Sequence, residues 1–383
     1  MAIFLSVFLT LYGALHFYAF RKARGAFGFH KRVRIALGLF MGFMLISPII
    51  VRVVERQGLE SSARFLAYAG YTWMGFLFLF IAAGLILDCY GVAAYLMGRA
   101  TGGSSRKWRL SPRVAFFIAL GACLVGGVYA LVEATAIQTE HIVIKTPKIP
   151  KVLGRIRIVQ ISDVHLGLIM GKRQLSRILD VVRAAKPDIL VSTGDLLDGQ
   201  IDGIGDLAKQ FREINPPYGK FAVNGNHEFY VGIERARKFC KKSGFILLSH
   251  ETFDIPGMLL VVGVDDIMSN RYGLVGRPTE TQLLSEVPID RFVLVLKHRP
   301  LLDETSMGLF DLQLSGHTHR GQIFPFTLLI KMLYPIDAGL LKLATGGFLY
   351  VNPGSGTWGP PMRFLAPPEV TVIDLVHGKR ENS

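Results

Sequence analysis

Hydrophobic and polar positions follow two different patterns along this chain of 383 residues. Up to residue 134 the apolar residues come in long runs, at 2–20, 33–51, 65–98 and 114–133, joined by short basic connectors. Each run is near the length of about 20 residues that crosses a bilayer core. The pattern therefore predicts four membrane-spanning helices. The third run would be about 50 Å long at about 1.5 Å per residue. It must tilt or protrude, which places Asp88 toward its end as an interfacial or capped carboxylate, with an intramembrane functional group as the alternative. No Lys or Arg precedes Arg21, so an uncleaved anchor is expected in place of a cleaved signal peptide.

From residue 135 onward the runs shorten to strand length, and several end in Asp, Asn or His beside glycine. Residues 139–146 open the series and 155–162 follow, with Ile156, Ile158, Val159 and Ile161 leading into Asp163-Val164-His165. On an extended strand, side chains two apart share a face, so Asp163 and His165 are expected to point together. Residues 174–186 have helical spacing at Leu175, Ile178, Leu179 and Val182, broken by Pro187-Asp188. A strand over 189–199 carries Gly194-Asp195, a helix covers 202–214, and a third strand over 221–228 ends in Asn226-His227-Glu228. A helix over 231–243 precedes strands at 258–266, ending in Asp265-Asp266, at 291–300, with His298, and at 312–322, with His317 and His319. Residues 348–363 contain a short strand, and 369–376 form another. Strands alternate with helices and then dominate. This predicts an α/β domain over 135–383 with mixed sheets packed together and flanked by helices, preceded by four transmembrane α-helices over 1–134.

Composition sharpens the division. Half the residues are hydrophobic and the mean hydropathy is +0.38, too apolar for an ordinary soluble protein. Of the formal net charge of +14, residues 1–134 supply +10. The basicity thus belongs to the membrane half, and no nucleic-acid partner is expected. Arg21, Lys22, Arg24, Lys31, Arg32 and Arg34 mark the first connector as cytoplasmic, and Arg99, Arg106, Lys107, Arg109 and Arg113 mark the third. With four spans the globular half then lies outside, extracytoplasmic in a bacterial cell membrane. Cys240 is alone in the globular half, so no disulfide forms within it.

Asp163, His165, Asp195, Asn226, His298, His317 and His319, with His227 adjacent, all follow apolar strands. Carboxylate, amide and imidazole donors together suit Mn, Fe or Zn. Seven donors are too many for one ion and suit two that share a bridging carboxylate such as Asp195. Two such ions can acidify a water and clamp a phosphoryl oxygen. Each residue alone is more readily explained as a turn former or a satisfied core group. It is the recurrence at five strand ends that argues for a site.

The motifs DVH (163–165), GD (194–195), GNHE (225–228), KHRP (297–300) and GHTH (316–319) resemble, in order and spacing, the set of the calcineurin-like metallophosphoesterases, over about residues 153–376. The resemblance implies the metallophosphoesterase β-sandwich flanked by helices and two divalent metal ions, with Mn expected to support activity. It assigns Asp163, His165, Asp195 and His319 to one ion and Asp195, Asn226, His298 and His317 to the other. It makes His227 a catalytic acid or transition-state donor. The tail GTWGPPMR (356–363), with GHTHRGQ, is similar to a membrane-associated bacterial subgroup. Arg299 and Arg320 stand where neutral residues are more usual, and each is expected either beside the substrate phosphate or in solvent. Residues 323–343 are unusually apolar. A core element is the favoured reading, and a flap on the bilayer or around an acyl chain is the alternative. Glu228, Asp198 and Asp265 are expected as turn formers or as groups behind the ligands.

The expected function is a membrane-anchored, dinuclear phosphoesterase acting on a phosphate ester, with a lipid-linked or envelope phosphodiester as the substrate and membrane lipid as a partner. Two rivals exist. One is a sensor or scaffold with a non-catalytic domain, which the intact ligand set argues against. The other is a transporter built around Asp88. The oligomeric state is not legible.

Overall fold

The computed structural model describes residues 2–101, 108–199, 204–273 and 276–379. The chain forms two compact units, one of Met1–Val132 with Gly359–Phe364 and one of Glu133–Trp358 with Leu365–Ser383. The first unit ends at Val132 where the sequence places a boundary at 134/135, and it also takes in the short stretch Gly359–Phe364, which the sequence assigns to the second domain.

In the helical unit the four apolar runs become α1 (Ala2–Phe27), α2 (Lys31–Arg56), α3 (Glu60–Ala100) and α4 (Pro112–Glu133). Among the described residues, α2, α3 and α4 are long and apolar enough to cross a membrane. Glycines let these helices approach closely. A Cβ at Gly127 would meet the Phe76 ring, and one at Gly75 would meet the Met362 side chain. Asp88 accepts a hydrogen bond from the Tyr18 hydroxyl at 2.8 Å and pairs with Lys22. Its side chain is 46% exposed although it lies about three turns inside α3, which ends at Ala100.

The second unit contains β1 (Gln138–Thr146), β2 (Arg155–Ile161), α5 (Lys172–Ala185), β3 (Ile189–Ser192), α6 (Ile204–Arg212), β4 (Lys220–Ala222), α7 (Asn226–Val231), α8 (Ile233–Ser243), β5 (Ile246–Leu247), β6 (Glu251–Ile255) and β7 (Leu259–Val264). It continues with α9 (Met268–Arg271), α10 (Glu280–Ser285), β8 (Phe292–Lys297), β9 (Leu312–Ser315), α11 (Phe326–Leu333), β10 (Gly339–Lys342), β11 (Phe348–Val351) and β12 (Glu369–His377). The strands build two six-stranded sheets, β1-β12-β2-β3-β4-β5 and β10-β11-β9-β8-β7-β6. β2, β3, β4 and β5 run parallel, as do β7, β8, β9 and β11, so the ligand-bearing strand ends of each sheet share one edge.

Burial explains why these strands read as nearly continuous apolar runs, because both faces are covered. Ile156, Ile158, Ile189, Val191 and Phe221 of the first sheet pack between the sheets with Leu259, Val261, Phe292, Leu294 and Leu312 of the second. The alternate residues Val159, Ile161, Leu190 and Ala222 face α5, α6 and α8 through Leu175, Ile178, Phe211 and Phe239. Val262, Val264, Val293 and Val295 pack on the other outer face with Leu284 and Phe310. The fold is the expected mixed α/β sandwich flanked by helices.

Three expectations need correction. Asp163 and His165 lie beyond the end of β2 at Ile161, each with φ 52, so it is not strand alternation that brings them together. Asn226 and His227 open helix α7 after the extended Gly225 instead of ending a strand, because the Glu228 carboxylate returns to the Gly225 N–H and closes a first helical turn. Within 323–343 the core reading holds only in part: Ile323 and Leu343 are buried and β10 joins the second sheet, but α11 buries only Thr327 and Ile330. Elements β5, β6, α9, α10 and β10 were not predicted; they are short and lack a sustained period.

Lys220 links the sheet to two helices. It is 4% exposed, and its Nζ donates to the Phe211 carbonyl at 2.8 Å and the Ser243 carbonyl at 2.7 Å, near the ends of α6 and α8. Burial, helped by Arg212, pushes its pKa down from 10.5 to about 8. Between these values the unfolded chain binds the additional proton, so stability rises with pH across that window. The unfolding midpoint of the full chain should therefore climb from about pH 8 to about pH 10.5 through this group. In Lys220→Met the climb should be smaller, a difference read by thermal melts of both proteins over a pH series.

Candidate metal centre

The loops after β2 and β3 run side by side beyond the sheet. Asp163 N–H donates to the Gly194 carbonyl (3.0 Å), His165 N–H to the Asp195 carbonyl (2.9 Å) and Leu166 N–H to the Leu196 carbonyl (2.8 Å). The second sheet is tied in through Gln160 Nε2, which donates to the Ser315 carbonyl (2.9 Å), and through His317 N–H, which donates to Asp163 Oδ2 (2.9 Å). Asp163, His165, Asp195, His317 and His319 all have φ between 48 and 72. Non-glycine residues seldom adopt this left-handed region, although Asp and His are among those that do. Strain of this kind gathers at functional sites.

Three glycines make the approach possible. A Cβ at Gly316 would stand 1.9 Å from Ser162 Oγ and 2.3 Å from Asp163 Oδ2. One at Gly225 would stand 2.1 Å from Asp195 Oδ1. Gly194, at φ 100, would put a Cβ 2.7 Å from both Gly225 N and His298 Nδ1.

The result is three overlapping donor clusters, Asp163–His165–His319, His165–Asp195–His227 and Asp195–His298–His317, each with its ligand atoms within 4.8 Å of one another. Asp195 Oδ2 faces both sides, 3.2 Å from His298 Nε2 and 3.8 Å from His165 Nε2. His319 Nε2 lies 3.3 Å from Asp163 Oδ1. Two pairs of imidazole nitrogens meet at 3.1 Å, His165 Nε2 with His319 Nε2 and His317 Nδ1 with His298 Nε2. The buried Asn226 Oδ1 has no hydrogen-bond partner among the described residues. His298 Nδ1 is held by the Thr193 carbonyl at 2.8 Å, which orients Nε2 inward as a ligand. Converging lone-pair donors and an unpaired buried amide oxygen fit divalent cations, and carboxylate with imidazole fits no thiolate-seeking ion. The structure brings all eight sequence-predicted residues into this one region.

Electrostatics agrees with that chemistry. Burial alone would raise Asp163 and Asp195. The imidazoles of His319 and His298 outweigh it at Asp163, and those of His298 and His227 at Asp195, holding both below the usual carboxylate range. Burial pushes His165 and His317 down to about 3, with help from His227 and His298 respectively. These two therefore present neutral nitrogens.

Residues behind the donors matter more than the sequence suggested. The Glu228 carboxylate accepts from Gly225 N–H (2.8 Å), Asp195 N–H (2.9 Å) and Leu197 N–H (3.2 Å), fixing three loop positions at once. Asp198 Oδ1 lies 2.8 Å from His227 Nδ1. Trp358 and Tyr230 pack edge-on to the His227 ring. Asp198 follows Asp195 by only three residues, the one sequence signal that linked it to the site; Trp358 lies in the GTWGPPMR tail, but nothing in that motif placed it against His227. Arg299 is held by the buried Asp266 through Nε at 2.7 Å, so it is not a freely solvated cation. Asp265 accepts from Asn224 Nδ2 at 2.8 Å and from Ser249. Arg320, at φ 51, has Nε 3.8 Å from Asp337.

The sequence model of the calcineurin-like phosphoesterase family matches residues 156–321. A protein of Aquifex aeolicus (strain VF5), named an uncharacterized metallophosphoesterase, is 39% identical over 251 residues, 65% of this chain and 95% of that protein. One from Campylobacter jejuni, also named an uncharacterized metallophosphoesterase, is 30% identical over 358 residues, 90% of this chain and 93% of its own. A Danio rerio protein named transmembrane protein with metallophosphoesterase domain is 31% identical over 67% of this chain and 62% of its own length. The chain belongs to the calcineurin-like metallophosphoesterase family.

Gly316→Ala should lose bound metal while keeping its helix and strand content, because the added methyl displaces Ser162 and Asp163 and leaves the three apolar layers alone. Elemental analysis of the purified variant beside its circular dichroism spectrum checks this.

Proposed function

We propose that this protein is a membrane-anchored, metal-dependent phosphoester hydrolase. The observation that carries the reading is the chain of three overlapping donor clusters at the common strand edge, with His165 shared by the first two and Asp195 by the last two. Asp163, His165 and His319 would hold one cation, and Asn226, His298 and His317 the other, with Asp195 between them. Bound cations supply a Lewis acid for the phosphoryl oxygens and lower the pKa of a coordinated water. Mn, Fe and Zn all suit these donors, and Mn is the choice we favour.

His227 is the group that moves a proton. Its Nδ1 is engaged by Asp198, which leaves Nε2 to face the departing alkoxide. Burial opposes a charged ring, but Asp195 and Asp198 outweigh it and raise the pKa to about 9, before the opposing field of any cation is counted. His227 can thus carry the proton that the leaving oxygen needs. Asp198 positions it. Tyr230 and Trp358 restrict the ring and keep water from its flank.

The substrate we favour is a phosphodiester on a lipid or envelope component, with the helical unit as anchor. The basic connectors support an orientation with the sandwich outside the cell. A scaffold without turnover is the weaker reading, since holding metal alone does not require Asp198 to engage His227 Nδ1.

The full chain, purified in detergent, should hydrolyse bis-para-nitrophenyl phosphate when Mn is supplied and stop when it is chelated. His227→Ala should lower kcat by about 10²–10⁴-fold. Metal retained without hydrolysis of either this diester or the monoester para-nitrophenyl phosphate would refute the enzymatic reading. Cleavage of the monoester alone would refute the diester preference. Asp198→Asn should cost about 10–100-fold, as expected for a group that orients a catalytic one, with metal content unchanged.

A further inference from the structure

Helix α11 follows directly from the turn that carries His319, yet it turns its apolar side chains outward. Leu328 is 56% exposed, Met332 81% and Leu333 62%, with Phe326 and Leu329 also exposed. Isolated exposed apolar residues are ordinary, but a contiguous set on one short helix marks a binding surface. The helix is also clamped to the metal centre at both ends. Thr327 Oγ1 donates to the Arg320 carbonyl at 2.7 Å, and a Cβ at Gly321 would stand 2.4 Å from Thr327 N. At the other end the Tyr334 ring lies 5.8 Å from that of His317.

The chemistry of the surface selects its occupant. Eight residues are far short of the about 20 needed to span a bilayer, so α11 can only lie along an interface. Its one charged residue is Lys331, and no carboxylate lies within the helix to oppose anionic headgroups. Tyr334 and the half-exposed Trp358 are residue types of the membrane–water boundary. The Gln322 side chain holds Trp358 through both backbone groups, at 2.9 Å each. From Gly359 the chain continues into the helical unit that carries the spanning helices. The segment leading into α11 is thus bonded to the residue from which the chain departs toward that unit.

We propose that α11 is a membrane-docking element, its apolar face seated at the headgroup–acyl boundary of the bilayer that holds α2–α4. Docked there, the turn bearing His319 and the ring beside His317 present the metal centre to a phosphate carried by a membrane lipid. The docking stands on its own observations; the presentation of a lipid phosphate rests on the phosphoesterase reading.

The test uses the full chain in nanodiscs, with Cys89→Ser removing the exposed thiol and Cys123 and Cys240 left buried. An environment-sensitive fluorophore is attached at Met332→Cys or, as a control, at Val152→Cys, a position 91% exposed. The label at 332 should shift to the blue and lose most of its emission when the acyl chains are brominated, while the label at 152 should not. Equal, unquenched emission at both sites would overturn the docking. So would a blue shift at 332 that ignores bromination and vanishes at one chain per disc, since a second copy would then cover the face. A second arm compares Leu329→Glu/Met332→Glu with the unmodified chain. Docking that serves catalysis predicts loss of turnover on a phosphodiester lipid in the disc, with soluble bis-para-nitrophenyl phosphate cleaved as before. Equal turnover of both substrates by the double variant would overturn the presentation of lipid phosphate. No turnover by the unmodified chain refutes the phosphoesterase reading, while the quenching still decides the docking.

Discussion

Five candidate ligands stand on left-handed backbone at the ends of buried strands, and the rest of the sandwich is arranged to keep them there. Each such residue costs on the order of 1–3 kcal/mol, and persists only where its surroundings over-determine it. The surroundings here are specific. Parallel β2 and β3 extend their backbone pairing past the sheet through Asp163, His165 and Leu166. The Glu228 carboxylate then collects the Gly225, Asp195 and Leu197 N–H groups, which an unfolded loop would leave to water. Gly194, Gly225 and Gly316 supply the space, with no Cβ to hold the loops apart.

The same constraint sets the charge of the site. Bringing Asp163 and Asp195 together under full burial is unfavourable unless cations answer them. His298, raised to about 10 against burial by Asp195, can hold a proton that answers part of this charge, and a bound cation would replace that proton at Nε2. His165 and His317 stay neutral beside it. The centre therefore combines anionic oxygens with neutral nitrogens in a dry pocket, which is what a divalent cation binds most strongly. Function and strain are coupled: the geometry that costs folding free energy is the one that aims lone pairs at a common point.

The helical unit and the sandwich solve different solvation problems. In the helices, Asp88 pairs with Lys22 and Tyr18, and His16 accepts from Trp73 Nε1 at 3.0 Å, so these polar side chains in apolar surroundings have partners. In the sandwich, Lys220 does the equivalent by closing the carbonyl ends of two helices. Helix α11 departs from both schemes, with apolar side chains left to the outside. Its two attachments to the histidine turns mean that anything covering it also bears on the metal centre.

Much of this was legible in the sequence because burial on both faces leaves a plain trace. The apolar runs ending at Ile161, Ser192, Lys297 and Ser315 forecast the strands, and the Asp, Asn and His residues beside Gly194, Gly225 and Gly316 forecast the ligands. The apolar runs before residue 134 forecast the helices by length alone. Periodicity could not show that Asp163 and His165 converge through left-handed turns, because residue type only biases φ and the neighbouring loops decide it. Nor could it show that Asn226 and His227 begin a helix, which depends on Glu228 folding back onto Gly225. Asp266 captured Arg299, and Trp358 came to flank His227, across long stretches of chain. Composition alone suggested a buried place for residues 323–343, whereas packing covered Ile323 and Leu343 and, within α11, only Thr327 and Ile330. The sequence by itself thus determined which residues could do the chemistry, since residue type fixes donor chemistry and burial. Only the tertiary structure decided their directions, because those follow from contacts between segments far apart in the chain.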